Sequence, residues 1–283
     1  MKPIRGKTAL VTGASRGIGP HIVRALAEEG MNLVLSARTV AALEQSVNKA
    51  RSLGVRVTCL AADLRRRGDV EMLAQRADAE MGGIAVLVNN AGMEGAFPFD
   101  KVELDSIEEM IALNLTAPMV LTRLLLPAMI RRGEGHVVNI SSLAGLVGTP
   151  YEETYSATKH GLVGFTRSLN LTLKAEGHPV GASVICPAFV EEAGMYRSAA
   201  DATGGTAPMM IGTVSTRKVA QAVVRAIVHS EPEVVLSGKP MLPFLIAQTL
   251  SPRLAARMSA MVGVPATFKK WADAALRAQP PRR

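Results

Sequence analysis

Tyr155 and Lys159 stand four residues apart in the string Tyr155-Ser156-Ala157-Thr158-Lys159. On a helix that spacing puts both side chains on one face. A phenol with a pKa near 10 is a poor proton donor or acceptor at neutral pH. An ammonium about 4 Å away favours the phenolate by roughly 4 kcal/mol at an effective dielectric of 20, up to about three pKa units. Acid–base catalysis works best when the pKa lies near the working pH, so this pair can move a proton. Ser142 follows a predicted strand, His136–Ile140, and its hydroxyl can donate to a substrate oxygen as negative charge develops there. Ser141 competes for that role. Tyr151 does not compete with Tyr155, because the residue four beyond it is Tyr155 and not lysine.

A second constellation is suited to phosphate. Thr12-Gly13-Ala14-Ser15-Arg16-Gly17-Ile18-Gly19 directly follows the first predicted strand and opens the first predicted helix. Glycines there allow a tight turn, close approach of main chain to phosphate, and close packing of helix on strand. The helix N-terminus adds unpaired N–H groups and partial positive charge, and Pro20 suits a first turn that needs no N–H from it. Gly13, Ser15, Arg16 and Ile18 are the candidate cofactor contacts of this turn. The second strand ends Leu35-Ser36-Ala37-Arg38 and lacks the acid that accepts from a ribose 2′-hydroxyl. Arg38 can instead fork onto a 2′-phosphate, with Arg16 closing from the other side, so the expected cofactor is NADP(H).

These residues need a scaffold that gathers loops at one sheet edge. Strands are predicted at Thr8–Val11, Asn32–Ser36, Val55–Ala61, Ala85–Val88, His136–Ile140, Gly181–Ile185 and Val234–Leu236. They are apolar throughout rather than alternating, as strands covered on both faces should be. Helices are predicted between them, among them Gly19–Glu29, ended by Gly30, and Val40–Leu53, ended by Gly54. The βα order predicts an α/β fold: a doubly wound parallel sheet of Rossmann type with helices on both faces. The reading is one catalytic domain over residues 1–240 and a helical extension over 241–283, packed on the same domain or on a partner subunit. In that extension Ser251 and Pro252 read as an N-cap and first helical position, with the helix running to about Val262 before Gly263 and Pro265. A last amphipathic segment, Phe268–Arg277, carries Phe268, Trp271 and Leu276 on one face. Because basic residues accompany it, peripheral membrane contact through the extension is a competing expectation to packing.

The bulk composition narrows the function classes. The chain has 283 residues, 48% hydrophobic and 4% aromatic, with a net charge of +8. Its basic residues are dispersed apart from Arg65-Arg66-Arg67 and Arg282-Arg283, with no aromatic platform among them, which argues against nucleic acid. The two cysteines, Cys59 and Cys186, form no CxxC pair and sit in apolar runs, as reduced buried thiols would. The five His show no ligand spacing, so no metal site is expected, and His160 should point to a helix face other than that of Lys159. No secretory signal is read at the N-terminus and no run of about 18 apolar residues is present, so the expected location is cytoplasmic.

Taken together, the chain resembles the short-chain dehydrogenase/reductase family over about residues 5 to 238. The matching marks are the turn Thr12 to Gly19, Asp63, Asn89-Asn90-Ala91-Gly92, Asn114, Ser142, and Tyr155 with Lys159. The family's Ser-to-Tyr spacing selects Ser142 over Ser141. The resemblance implies that Tyr155 transfers the proton and that Ser142 holds the substrate oxygen. It also implies that Lys159 binds the nicotinamide ribose and lowers the tyrosine pKa, while Asn114 holds a water in a proton relay. Asp63, with Leu64 beside it in the cofactor site, would contact the adenine; Asn90 would lie along the cofactor; Arg38 falls at the 2′-phosphate position. A dimer or tetramer through the helices bearing Asn114 and Tyr155 is implied as well.

Two stretches depart from the family pattern. Pro187-Ala188-Phe189-Val190-Glu191-Glu192 keeps the proline and valine but replaces a glycine and a threonine, so Val190 retains a cofactor contact and Glu192 receives no role. From Pro240 onward the chain end is its own. Met195, Met209 and Met210 fall in the segment that covers the substrate in the family, and such side chains suit an apolar ligand. The expected activity is interconversion of a ketone and a secondary alcohol on an apolar or lipid-like small molecule. The competing reading is a nucleotide-binding regulatory protein of the same fold with little turnover.

Overall fold

Runs of Val, Leu, Ile and Ala become parallel strands in a computed structural model that describes residues 4–203, 207–208 and 211–278. The strands are β1 (Thr8–Thr12), β2 (Asn32–Ala37), β3 (Val57–Ala61), β4 (Val86–Asn89), β5 (Gly135–Ile140), β6 (Val180–Pro187), β7 (Phe189–Val190), β8 (Thr213–Val214) and β9 (Glu233–Leu236). Seven form one sheet in the order β3-β2-β1-β4-β5-β6-β9, every pairing parallel. All seven predicted strands are present, with ends shifted by one or two residues. The short pair β7 and β8, which the sequence reading did not anticipate, forms a separate two-stranded ribbon.

The helices are α1 (Gly19–Glu28), α2 (Glu44–Arg51), α3 (Arg67–Glu80), α4 (Leu104–Ile111), α5 (Ala117–Arg132), α6 (Glu153–Ala175), α7 (Gly194–Thr203), α8 (Thr216–His229), α9 (Leu242–Leu250), α10 (Pro252–Met261) and α11 (Val264–Ala278). Alternate residues of each strand feed two cores. Ala9, Val11, Leu33 and Leu35 join Ile22 and Leu26 of α1 and Val223 of α8 on one face. Leu10, Val34 and Leu87 join Leu73 of α3 and Leu121 and Leu125 of α5 on the other. This period-two division explains why the strands read as unbroken apolar runs. The strand order reverses between β1 and β4, which opens a cleft at their carboxyl ends, the usual ligand position in such sheets.

Several local expectations change. The predicted helix Val40–Leu53 starts as a 3₁₀ turn, Ala41–Leu43, before α2. Ser251 precedes α10, yet its side chain makes no capping hydrogen bond. The final helix starts at Val264, four residues before the predicted Phe268. The stretch Leu104–Arg132 is long and apolar enough to cross a membrane by composition, although no continuous apolar run marks it. Here it forms α4, a π-helical turn at Ala112–Thr116 and α5, and α5 packs on the sheet through Leu121, Leu125 and Met129. That placement accounts for part of its apolarity, while Leu104, Ile111, Met119 and Leu124 stay exposed.

Candidate active site

The glycine turn is built by close contacts that only glycine permits. Gly13 has φ +62°, and a Cβ there would lie 2.7 Å from Ala91 Cα. A Cβ on Gly19 would lie 2.2 Å from the Gly13 carbonyl oxygen. Asn90 fastens the turn to β4: its Nδ2 donates to the carbonyls of Thr12 and Gly13 at 3.0 Å each. The amides of Asn90 and Ala91 both donate to Thr12 Oγ1 at 3.1 Å. α1 then starts behind Ile18 with no side-chain cap and no acid in its first turn, so no side chain offsets the positive end of its dipole. A Cβ on Gly17 would meet nothing nearer than Ala193 Cβ at 3.9 Å, which leaves space above the turn. This cradle fits a pyrophosphate.

Ser15 and Ile18 are half-buried within the turn, whereas Arg16 and Arg38 are exposed. Among the described residues neither arginine has a carboxylate partner, which suits both to a ligand phosphate. Asp63 is already engaged, since Arg65 donates to its Oδ2 at 2.6 Å and to its Oδ1 from both main chain and side chain. Those bonds, the side-chain ones first, hold its carboxyl down at about 2. Leu64 packs into the core with Leu60 and Val70, which leaves only its main chain for a ligand. Val190 is buried in β7.

The acid–base residues meet at the carboxyl end of β5. Ser141 and Ser142 separate there. Ser141 is buried and its Oγ donates to the Lys159 carbonyl at 3.1 Å. Ser142 starts a 3₁₀ turn, its Oγ accepting from the Ala144 amide at 3.1 Å, and its hydroxyl is near enough to the Tyr155 phenol to favour the phenolate. The structure thereby places Ser142, and not Ser141, with the tyrosine. Tyr151 lies in the left-handed region at φ +64° and packs in the aromatic cluster around Trp271. His160 is exposed, with Nδ1 2.8 Å from the Ser156 carbonyl, away from Lys159.

Lys159 differs from expectation. Its Nζ donates to the Ile140 carbonyl at 2.9 Å and stands 5.5 Å from the centre of the Tyr155 ring. Burial lowers its pKa to about 8, opposed by Glu94 and Cys186. The Tyr155 phenol is pushed well above its ordinary value instead of being lowered: burial contributes most, then the carboxylates of Glu94 and Glu152, with the Ser142 hydrogen bond opposing. In the protein alone, burial and the nearby acids outweigh the expected depression by lysine. Glu152, one turn before Tyr155, is 4% exposed, and its Oε1 has no hydrogen-bond partner. Burial, then Glu94 and Glu153, raise its pKa well above the carboxylate range.

Asn114 sits in the π turn, 1% exposed. Its Oδ1 accepts from the Met93 amide at 2.9 Å, while Nδ2 donates to the Met93 carbonyl at 2.8 Å and to Thr158 Oγ1 at 3.2 Å. Both amide protons are therefore committed to protein. A Cβ on Gly92 would lie 3.3 Å from Asn114 Oδ1 and 3.6 Å from Lys159 Nζ, so three of the family marks converge there.

Sequence reasoning missed Glu94 and Glu152, whose positions match no motif. It left Glu192 without a role; Glu192 turns away from the glycine turn and accepts from the Thr216 amide at 2.9 Å, capping α8. Phe189, Tyr196, Phe268 and Trp271 pack as one aromatic cluster, with Phe268 and Trp271 ring centres 4.8 Å apart. Met209, Met210 and the side chain of Met195 lie outside the described residues. Among the described residues no group of His, Cys, Asp and Glu has metal-binding geometry.

The comparisons agree with this geometry. The family model for short chain dehydrogenase matches residues 7–203. A ketoacyl reductase, HetN, of Nostoc sp. is 39% identical over 85% of this chain and 82% of its own length. A D-beta-hydroxybutyrate dehydrogenase of Cupriavidus necator is 36% identical over 66% of this chain and 72% of its own. Among solved structures, a metagenomic short-chain oxidoreductase in complex with NADP superposes with a TM-score of 0.70 at 30% identity, covering 84% of this chain and 99% of that one. A short chain dehydrogenase/reductase from Burkholderia phymatum in complex with NAD gives 0.78 at 26% identity, covering 90% and 96%. With its glycine turn, its Ser142–Tyr155 pair and these relatives in agreement, the chain belongs to the short-chain dehydrogenase/reductase family and is an oxidoreductase of the ketone–alcohol type.

Proposed function

We propose that this chain is an NADP(H)-dependent enzyme that interconverts a ketone and a secondary alcohol on an apolar or lipid-like substrate, with Tyr155 as general acid/base. The observation that carries the reading is the meeting of the Ser142 and Tyr155 hydroxyls at the carboxyl end of β5, with Lys159 one helical turn on. When bound, NADP(H) supplies the hydride and, once oxidised, a positive charge beside the phenol. Arg38 and Arg16 fork the 2′-phosphate, and the amides around Gly13, Ser15 and Ile18 hold the pyrophosphate. Asp63 and the main chain of Leu64 would contact the adenine, Asn90 and the Val190 main chain would lie further along, and Lys159 would bind the ribose. In the reducing direction Ser142 donates to the carbonyl oxygen and Tyr155 delivers its proton there as charge develops. A raised phenol pKa keeps that proton in place at neutral pH until the far more basic alkoxide forms. Asn114 acts by positioning, tying the Met93 segment to α6 through Thr158.

Residues 1–240 form the catalytic domain on this reading, and 241–283 the extension that roofs it. The substrate class rests on apolar and aromatic side chains of both parts: Leu143, Leu146, Phe189 and Tyr196 of the catalytic domain and Trp271 of the extension. Glu94 beside the phenol disfavours an anionic substrate. Exposed Leu104, Ile111, Met119, Leu124 and Leu171 on α4, α5 and α6 support a homo-dimer or homo-tetramer through those helices. The free thiols, Cys59 half-buried and Cys186 buried, support a reducing, cytoplasmic compartment. The test is NADPH oxidation by purified protein against ketones of increasing chain length; activity that rises with chain length supports the reading, and no turnover of any ketone contradicts it.

A second reading has its own observation. The acids around Tyr155 and the raised phenol pKa suit a protein that binds nucleotide and turns it over little. Tight NADPH binding without oxidation across chemically varied carbonyls would favour it.

A further inference from the structure

Helix α9 carries no charge and only Gln248 and Thr249 are polar in it, yet none of its residues is buried. Leu242, Ile246 and Leu250 are 67%, 49% and 79% exposed and, four residues apart, make one stripe. Leu254 and Met261 extend the exposed apolar surface onto α10, at 50% and 85%. A surface helix of a globular domain should turn such side chains inward. The inward side of α9 is already used: Met241, Phe244 and Leu245 pack with Leu143, Leu146 and Val147, the turn that follows Ser142. The apolar stripe is therefore a second face, separate from the one that holds the helix down.

The charges around it have one sign. Between Glu233 and Asp273 the sequence contains no acidic residue, while Lys239, Arg253, Arg257, Lys269 and Lys270 are all basic. Lys269 pairs with Asp273 at 2.9 Å. Arg253 and Arg257, both exposed on α10, have no carboxylate partner among the described residues. An apolar stripe flanked by unneutralised arginines is the pattern of a helix that lies in a membrane interface, its apolar face among acyl chains and its cations on lipid phosphates. A second copy of the chain suits it poorly, because self-association would bring the arginines of both copies together with no acid to offset them.

We propose that the α9–α10 hairpin is a docking face for the surface of an anionic lipid bilayer, seating the roof of the active site against the membrane. It deepens the reading of an apolar, lipid-like substrate, since α9 lies between that surface and the turn carrying Ser142. Docking is measured without cofactor or turnover, so its failure and the failure of that reading are separable.

The experiment is co-sedimentation of the full-length protein with vesicles of phosphatidylcholine alone or mixed with phosphatidylglycerol. Binding is expected on the anionic vesicles, weaker by tenfold or more on the neutral ones, and falling as salt rises. The paired change Ile246→Asp and Leu250→Asp should lower binding at least tenfold. Arg253→Glu with Arg257→Glu should lower it on anionic vesicles and leave the weak neutral binding as it was. Circular dichroism and unchanged turnover of a small water-soluble ketone would confirm that the variants are folded. Absence of binding to anionic vesicles at low salt, or equal binding by the Asp variant, overturns the proposal. So does light scattering that shows these substitutions dissociating an oligomer, which would make the face a contact between copies.

Discussion

Lys159 Nζ donates to the carbonyl of Ile140 at 2.9 Å, fastening the helix that bears Tyr155 to the end of the strand that leads into Ser142. With the bond from Ser141 Oγ to the Lys159 carbonyl, it ties together the two hydroxyl-bearing segments. It also holds an ammonium where burial lowers its pKa to about 8.

A stability prediction follows from that burial. In the unfolded chain Lys159 keeps its proton to about 10.5, and in the folded chain only to about 8. Below pH 8 both states are charged and the cost of the buried charge is fully present. Between pH 8 and 10.5 the folded state binds fewer protons, so stability rises with pH from this group. Lys159→Met should abolish turnover yet unfold at higher denaturant at pH 7, by on the order of 1–3 kcal/mol after loss of the Ile140 bond. The gap should shrink toward pH 10; a gap that is constant with pH contradicts the assignment.

Glu152 titrates with the opposite sign. Its folded pKa is raised, so between the usual carboxylate range and that raised value the folded state holds the extra proton and stability falls as pH climbs. Glu152→Gln should match wild type near pH 4 and melt higher at pH 8, where about 1 kcal/mol moves Tm by roughly 2–4 °C in a domain of this size. Calorimetric scans at the two pH values decide it.

The cofactor reading turns on Arg38. Arg38→Ala should reduce kcat/KM for NADPH by about 10- to 100-fold, the worth of a charged hydrogen bond to phosphate, and leave NADH nearly unaffected. Parallel loss with both cofactors would remove Arg38 from the 2′-phosphate.

Trp271 separates packing from polarity. It is 3% exposed, stacks edge-on with Phe189 at 5.7 Å, and its Nε1 has no hydrogen-bond partner. Trp271→Ala should cost about 3–5 kcal/mol, whereas Trp271→Phe, which removes the orphan donor, should cost little. Urea unfolding of both variants distinguishes them.

How much was legible in the sequence follows from what local pattern can encode. The strands around Val34 and Val138 are read from apolar runs because both sheet faces are covered. The turn at Gly13 is read because its φ and its contact with Ala91 exclude any other residue. The Tyr155–Lys159 pair is read because one helical turn joins them, but the sign of its electrostatics was not. That sign depends first on burial and then on Glu94 and Glu152, and burial and the Glu94 contact are products of the tertiary fold. The π turn at Asn114 has no residue-type signature, since it arises from tertiary bonds to Met93 and Thr158. Glu192 was opaque for the same reason: its partner is a helix N-terminus 24 residues on. The apolar run Leu242–Leu250 was visible, but only coordinates reveal that one side of it covers Leu143 while the other faces outward.

The most direct test of the account is NADPH oxidation by Tyr155→Phe beside wild type, with ketone saturating and NADPH binding followed separately by fluorescence. The account predicts that the variant binds NADPH as wild type does and that turnover falls by at least 1,000-fold, on the order of a lost general acid. Turnover within tenfold of wild type, at unchanged NADPH affinity, would contradict it.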